Sequence, residues 1–190
     1  MSKILTTQLT GLLQRIQQTE EESIEETARL LAQAAIGQGT IYFAAFGEMK
    51  AVAINAELGE GKFAKFARYT ENVELLPADR VIIFTRHATD EQALKLAQQL
   101  HAEFIPFAAV ASEMAGDENP LSDLAYTYIS LKVRGGILPH PTKLGERIVF
   151  PHLIAALYIY EAIKMEFDEM LVDDDEEDDE LMDSHPSPFA

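Results

Sequence analysis

The sequence predicts an α/β domain built on a mainly parallel sheet. Three observations predict it. Four short apolar runs, Thr40 to Phe46, Arg80 to Thr85, Phe104 to Ala111 and Tyr126 to Leu131, lack the polar alternation of a half-solvated strand. They read as strands buried on both faces. Segments with apolar residues at helical spacing lie between them, so strands and helices alternate as in right-handed βαβ units. The 190 residues, 47% hydrophobic and 25% charged, suit one domain with a full core.

The elements follow in order. Leu5, Leu9, Leu12, Leu13 and Ile16 mark a first amphipathic helix. Thr19 and Glu22 have capping-box spacing. A second helix is therefore expected to start there and to carry Ile24, Ala28, Leu31 and Ala35 up to Gly37 and Gly39. After the Thr40 strand, residues 49–58 predict a helix with Ala51, Ile54 and Leu58 on one side. Lys62 to Tyr69 holds either a weak strand or a helix lined by Phe63, Phe66 and Tyr69.

Pro77 to Asp79 turns into the Arg80 strand. Thr89 to Gln92 is a second capping box, opening a helix with Ala93, Leu96, Ala97 and Leu100 inside. Pro106 argues for an edge or irregular position of the next strand. Lys132 to Gly145, with three glycines and two prolines, reads as a loop. Pro151 suits a helix start, where its missing N–H costs nothing. From His152 to about Met170 the pattern is apolar nearly all round at first, as in a helix buried in the core or at a subunit interface. Residues 173–183 hold nine acids and no base. The expected organisation is a domain over 1–172 and a disordered acidic tail over 173–190.

Composition narrows the function. Cysteine is absent, which excludes disulfides, thiolate metal sites and cysteine nucleophiles. The net charge is −17; without residues 173–183, 23 acids still face 15 bases, a charge of −8. Nucleic acid and anionic membrane surfaces are therefore not expected partners. The first residues lack the apolar core of a signal peptide, and the longest apolar stretch, near Phe150 to Tyr160, is too short to span a bilayer. A cytoplasmic location is expected.

In open parallel sheets ligands bind beyond the carboxyl ends of the strands. Two turns qualify: Phe46 to Lys50, and Thr85 to Thr89. In the second, Thr89 is the expected helix cap, and the free N–H groups of that helix with Arg86 and His87 would hold an anion such as phosphate. Lys50 adds a cation from the neighbouring turn. Otherwise Thr89 is only a cap and Arg86 a surface charge paired to Asp90 or Glu91. Gly47 permits a tight turn. Glu48 is either a general base or a solvated acid at a helix start. His140, between two prolines, can lie on a lid; His152 is either a catalyst or a hydrogen-bonded core histidine. No ligand pair at helical spacing suggests a metal, and no cofactor is expected. Gly59 to Lys62 lacks P-loop spacing, and neither G-x-G-x-x-G nor G-x-S-x-G occurs.

One family resemblance rests on element order. Helical segments precede IYFAAFGEMKAVAINAE; then come LPADRVIIFTRHATDEQALKLAQQLHAEFIPFAAV, NPLSDLAYTYISL and a long final helix. Over about residues 4–170 this resembles the sugar isomerase (SIS) domain, is similar to phosphoheptose isomerases among these, and looks closest to an uncharacterised SIS-like family of Gram-positive bacteria. The resemblance implies a three-layer α/β/α sandwich, a five-stranded parallel sheet of flavodoxin-like order, phosphosugar binding, and assembly as a homodimer or homotetramer. The family's phosphate loop, S-x-S-G-x-[ST], corresponds to Phe84 to Thr89. There only Thr89 fits, with Thr85 between the replaced serines. Its G-x-G-x-S turn corresponds to Phe46 to Lys50, which keeps Gly47. Lost hydroxyls are exchanged for Arg86, His87 and Lys50, so either an anion is held by charge or the site is abandoned. Of the polar groups that hold metal on the final helix of phosphoheptose isomerases, only His152, Glu146 and Arg147 offer stand-ins.

The expected function is thus binding of a phosphosugar or other phosphorylated metabolite, with isomerisation as its catalytic form and Glu48 or His152 as base. The alternatives are a non-catalytic ligand sensor, or an oligomeric scaffold with a degenerate site and an acidic interaction segment.

Overall fold

Five parallel strands form the centre of the molecule in a computed structural model that describes residues 2–116 and 118–183, with side chains to Val172. The strands are β1 (Ile41–Ala45), β2 (Phe66–Arg68), β3 (Arg80–Phe84), β4 (Phe107–Ala111) and β5 (Thr127–Ser130), in the order β2-β1-β3-β4-β5. This is the flavodoxin-like order, with the reversal between β1 and β3. Side chains alternate between two cores. Ile41, Phe43, Ile82, Phe84, Ala108, Val110 and Ile129 face one layer; Ala44, Val81, Ile83, Phe107, Ala109, Ala111 and Tyr128 face the other. Burial on both faces is why the strands read as unbroken apolar runs.

The first layer contains α1 (Ser2–Ile36), α2 (Lys50–Leu58) and α5 (His152–Asp183). Phe43, Phe63, Phe66, Phe84, Tyr160 and Phe167 form an aromatic cluster there, with Phe63 and Phe167 centroids 4.8 Å apart. The second layer contains α3 (Glu91–Ala102) and α4 (Pro120–Leu124). A small antiparallel hairpin of β6 (Leu138–Pro139) and β7 (Arg147–Ile148) precedes α5.

Several local expectations are corrected. The N-terminal region is one helix, because the buried stripe Leu12, Ile16, Glu20, Ile24, Thr27, Ala28 and Leu31 runs through the supposed break. Thr19 does not cap; its hydroxyl donates back to Arg15 O at 2.9 Å within the helix. In α2, Val52, Ala53 and Ala56 face the core, whereas Ile54 and Leu58 are exposed. Thr89 does not cap α3 either. Asp90 does, accepting from Gln92 N at 3.1 Å and Ala93 N at 2.9 Å. Pro106 lies just before β4, which is an interior strand, so it removes no ladder bond. The loop over Lys132 to Gly145 contains β6, and α4 was not anticipated.

Helix α5 continues past Val172 to Asp183, and residues 184–190 of the acidic tail lie outside the described residues. Among the described residues no helix is long and apolar enough to cross a membrane.

Candidate functional site

The turns after β1 and β3 are neighbours because those strands pair along their whole length, from Ile41 opposite Arg80 to Ala45 opposite Phe84. Phe46 N extends the ladder to Phe84 O at 2.9 Å. Beyond it Gly47 turns the chain at φ +57°, a conformation that disfavours any side chain. Glu48 follows in a single 3₁₀ turn, and its carboxylate accepts two bonds from Arg86 Nη1, at 3.0 and 3.3 Å. Arg86 therefore pairs with Glu48, not with Asp90 or Glu91. Its guanidinium also lies 5.8 Å from the centroid of the Phe150 ring.

β4 and β5 complete the floor. Ser112, just past β4, donates to Arg86 O from its hydroxyl at 2.6 Å and from its N–H at 3.1 Å. The next residue, Glu113, reaches back to the β3 turn. Its Oε2 accepts from Ala88 N at 2.8 Å, and its Oε1 lies 3.0 Å from His87 Nδ1. Tyr128 on β5 holds that segment by donating to Glu113 O at 2.8 Å. Burial alone would raise the Glu113 carboxyl, but the Ala88 N–H and His87 hold it below its ordinary value. The approach to α3 is thus already served by carboxylates: Asp90 on the helix amides and Glu113 on Ala88.

The first turn of α5 forms the opposite wall. His152 is buried, and its ring centroid is 6.3 Å from that of His87 and 6.5 Å from that of Phe150. Its Nδ1 is buried without a hydrogen-bond partner among the described residues. Burial first, then the Arg86 and His87 charges, push its pKa below the ordinary value against the pull of Glu48. The ring is accordingly neutral at physiological pH and can accept or donate a proton.

Together Arg86, His87, Ser112, Glu113, Arg134 and His152 line a hollow of about 450 Å³ at the carboxyl ends of the strands, with Phe150 at its side. Of the residues singled out in the sequence, Arg86, His87 and His152 line it and Glu48 joins through its ion pair. Thr85 is buried beneath the turn, its hydroxyl 3.4 Å from His87 O. Lys50 and Thr89 are exposed and do not line the hollow. His140 accepts from Thr142 N and Lys143 N at the tip of the β6–β7 hairpin and does not line it either.

Glu113, Ser112, Phe150 and Arg134 were missed, since each sits in a loop with no motif. Position alone offered a signal: Ser112 and Glu113 directly follow an apolar run. Among the described residues no three His, Asp or Glu side chains cluster as metal ligands. The backbone is left-handed at Lys132 (φ 55°) and at the β-branched Val149 (φ 63°), both flanking the crevice, as at many ligand sites.

Comparison with known proteins supplies the context. A family model described as "Domain of unknown function (DUF2529)" matches residues 1–171. "Uncharacterized protein YwjG" of Bacillus subtilis (strain 168) is 34% identical over 172 residues, covering 90% of this chain and 98% of that one. Among solved structures, the Vibrio vulnificus NanR protein complexed with ManNAc-6P superposes with a TM-score of 0.66 at 13% identity, over 96% of this chain and 67% of that one. Phosphoheptose isomerase GmhA from Neisseria gonorrhoeae superposes with a TM-score of 0.61 at 12% identity, over 88% of this chain and 96% of that one. At such identities the likeness is one of fold, the fold of sugar isomerase domains.

Proposed function

The chain belongs to the family described as Domain of unknown function (DUF2529), and from the crevice geometry and the fold we propose that it binds a phosphorylated sugar. The observation that carries this reading is the hollow at the strand ends. In a chain of net charge −17, Arg86 and Arg134 line it together with His152, whose Nδ1 is buried without a partner among the described residues. Arginines suit the phosphate, and a buried imidazole acceptor suits a sugar hydroxyl. Structural neighbours that include a protein complexed with ManNAc-6P and a phosphoheptose isomerase support the same class of ligand.

Within this reading Arg86 and His87 hold the anion, with Gly47 and Thr85 shaping the turns. The protein acts in the cytoplasm, as a homodimer or homotetramer, without a cofactor. Isomerisation is the finer proposal. It requires a base that moves a proton between adjacent carbons, a role for His152 with Glu48 assisting.

The alternative of a non-catalytic ligand sensor has its own support: Glu48 is already engaged by Arg86, at 3.0 Å. Thermal unfolding with a panel of sugar phosphates tests binding, because a ligand of the native state raises Tm. Stabilisation lost in Arg86→Ala and reduced in His152→Ala, with no turnover of any of the compounds, supports binding alone. Turnover of an aldose or ketose phosphate abolished by Glu48→Gln supports the isomerase. No stabilisation by any phosphorylated compound refutes both.

A further inference from the structure

A second hollow, of about 760 Å³, opens beside the first and is lined by four cationic side chains, Arg15, Lys132, Arg134 and Arg147. The two hollows share Ser112, Glu113, Val133, Arg134 and Gly135, so they form one continuous trough. Its outer wall comes from α1. That helix runs antiparallel to β5, with Thr27 bonded to Thr127 at 2.7 Å and Glu20 accepting from Ser130 N at 2.9 Å. Residues before Glu20 therefore project past the end of the strand, which brings Arg15 over the trough.

The charges there are unbalanced. Glu113 is the one acidic side chain lining this hollow among the described residues, and it is engaged by Ala88 N and His87. Lys132 is neutralised by Glu20 at 2.5 Å. Arg15, Arg134 and Arg147 form no ion pair among the described residues. Arg147 is already oriented, donating from Nε to Gly136 O at 2.6 Å and from Nη2 to Ile137 O at 2.9 Å. Three guanidiniums around one hollow, in a protein with twice as many acids as bases, suit a multiply charged anion.

We infer that the second hollow takes a second anionic group of the same ligand, so the ligand class is a sugar phosphate bearing a further phosphate or carboxylate. This rests on the sugar-phosphate reading of the first hollow and narrows it.

Titration calorimetry of the full chain at fixed ionic strength, with glucose 6-phosphate and glucose 1,6-bisphosphate as probes, tests the inference. The bisphosphate should bind at least about tenfold more tightly. Arg15→Ala, at an exposed helical position where folding is not at stake, should remove most of that advantage while leaving glucose 6-phosphate within about twofold. Arg134→Ala should weaken both probes, since its side chain lines both hollows. Equal affinity for the two probes, or equal loss of both in Arg15→Ala, overturns the second subsite and leaves the first. If neither probe binds, the reading of the first hollow falls and this inference with it.

Discussion

His152 illustrates how burial sets chemistry at the scale of one residue. The ring lies under Phe150 and beside Arg86, and both burial and that charge favour the neutral form. Its folded pKa is lower than its unfolded value of about 6.5. The unfolded chain therefore binds the proton first as pH falls, and stability is lost from about pH 6.5 downward until the folded group also titrates. Tm of the wild type should drop between pH 7.5 and 5.5 by more than Tm of His152→Gln, as read by thermal unfolding at each pH; equal drops would refute the assignment. Glu113 acts with the same sign in a more acid window. Its depressed pKa stabilises the fold above the ordinary carboxyl range and that contribution disappears as acid titrates the folded group. Arg86, His87 and His152 were visible as candidates because each stands at a predicted strand end or helix start. Their partners were not. The Arg86 contact with Glu48 spans 38 positions and the His87 contact with Glu113 spans 26, and no spacing rule reaches that far.

At the scale of elements, helix starts separate the pattern from its realisation. Both capping boxes were misread, each for a physical reason. Thr19 lies inside a continuous buried stripe, so the tertiary gain of one long helix outweighs a local cap. Asp90 displaces Thr89 because its carboxylate reaches two amides of α3. Asp90→Ala should cost about 1 kcal/mol, whereas Thr89→Ala should stay within about 0.5 kcal/mol, as measured by urea unfolding. The junction of α1 with β5 is held more firmly. Glu20 and Lys132, both almost fully buried, pair at 2.5 Å, and Glu20 also accepts from Ser130 N. Glu20→Ala leaves the Lys132 ammonium without its counter-ion and the buried Ser130 N–H without its acceptor. It should cost about 3–5 kcal/mol, lowering Tm by roughly 10 °C. A loss below about 1 kcal/mol would mean that water reaches Lys132 and the junction is open. Glu20 carried no signal in the sequence, where it stands among Glu21 and Glu22 as one more exposed acid.

At the scale of the whole molecule, the charge distribution is uneven. Nine acids lie in residues 173–183, while four cationic side chains line one trough. We propose that the folding unit ends at 172. A chain truncated there should keep its Tm within about 2 °C in a thermal melt; a larger loss would make the rest of α5 part of the fold. The amino-acid order by itself determined the covered parallel sheet and the long final helix, whereas the segment of β2, open between strand and helix in the sequence, became a strand through its pairing with β1. Apolar runs without alternation can be buried only in a sheet covered on both faces, and that requirement is local and periodic. Tertiary structure alone decided which charges meet. The reversal of strand order sets Glu48 beside Arg86, and the antiparallel run of α1 along β5 carries Arg15 to a trough completed by Arg134 and Arg147 more than a hundred residues later. Such contacts depend on where distant segments end in space, and periodicity holds no record of that.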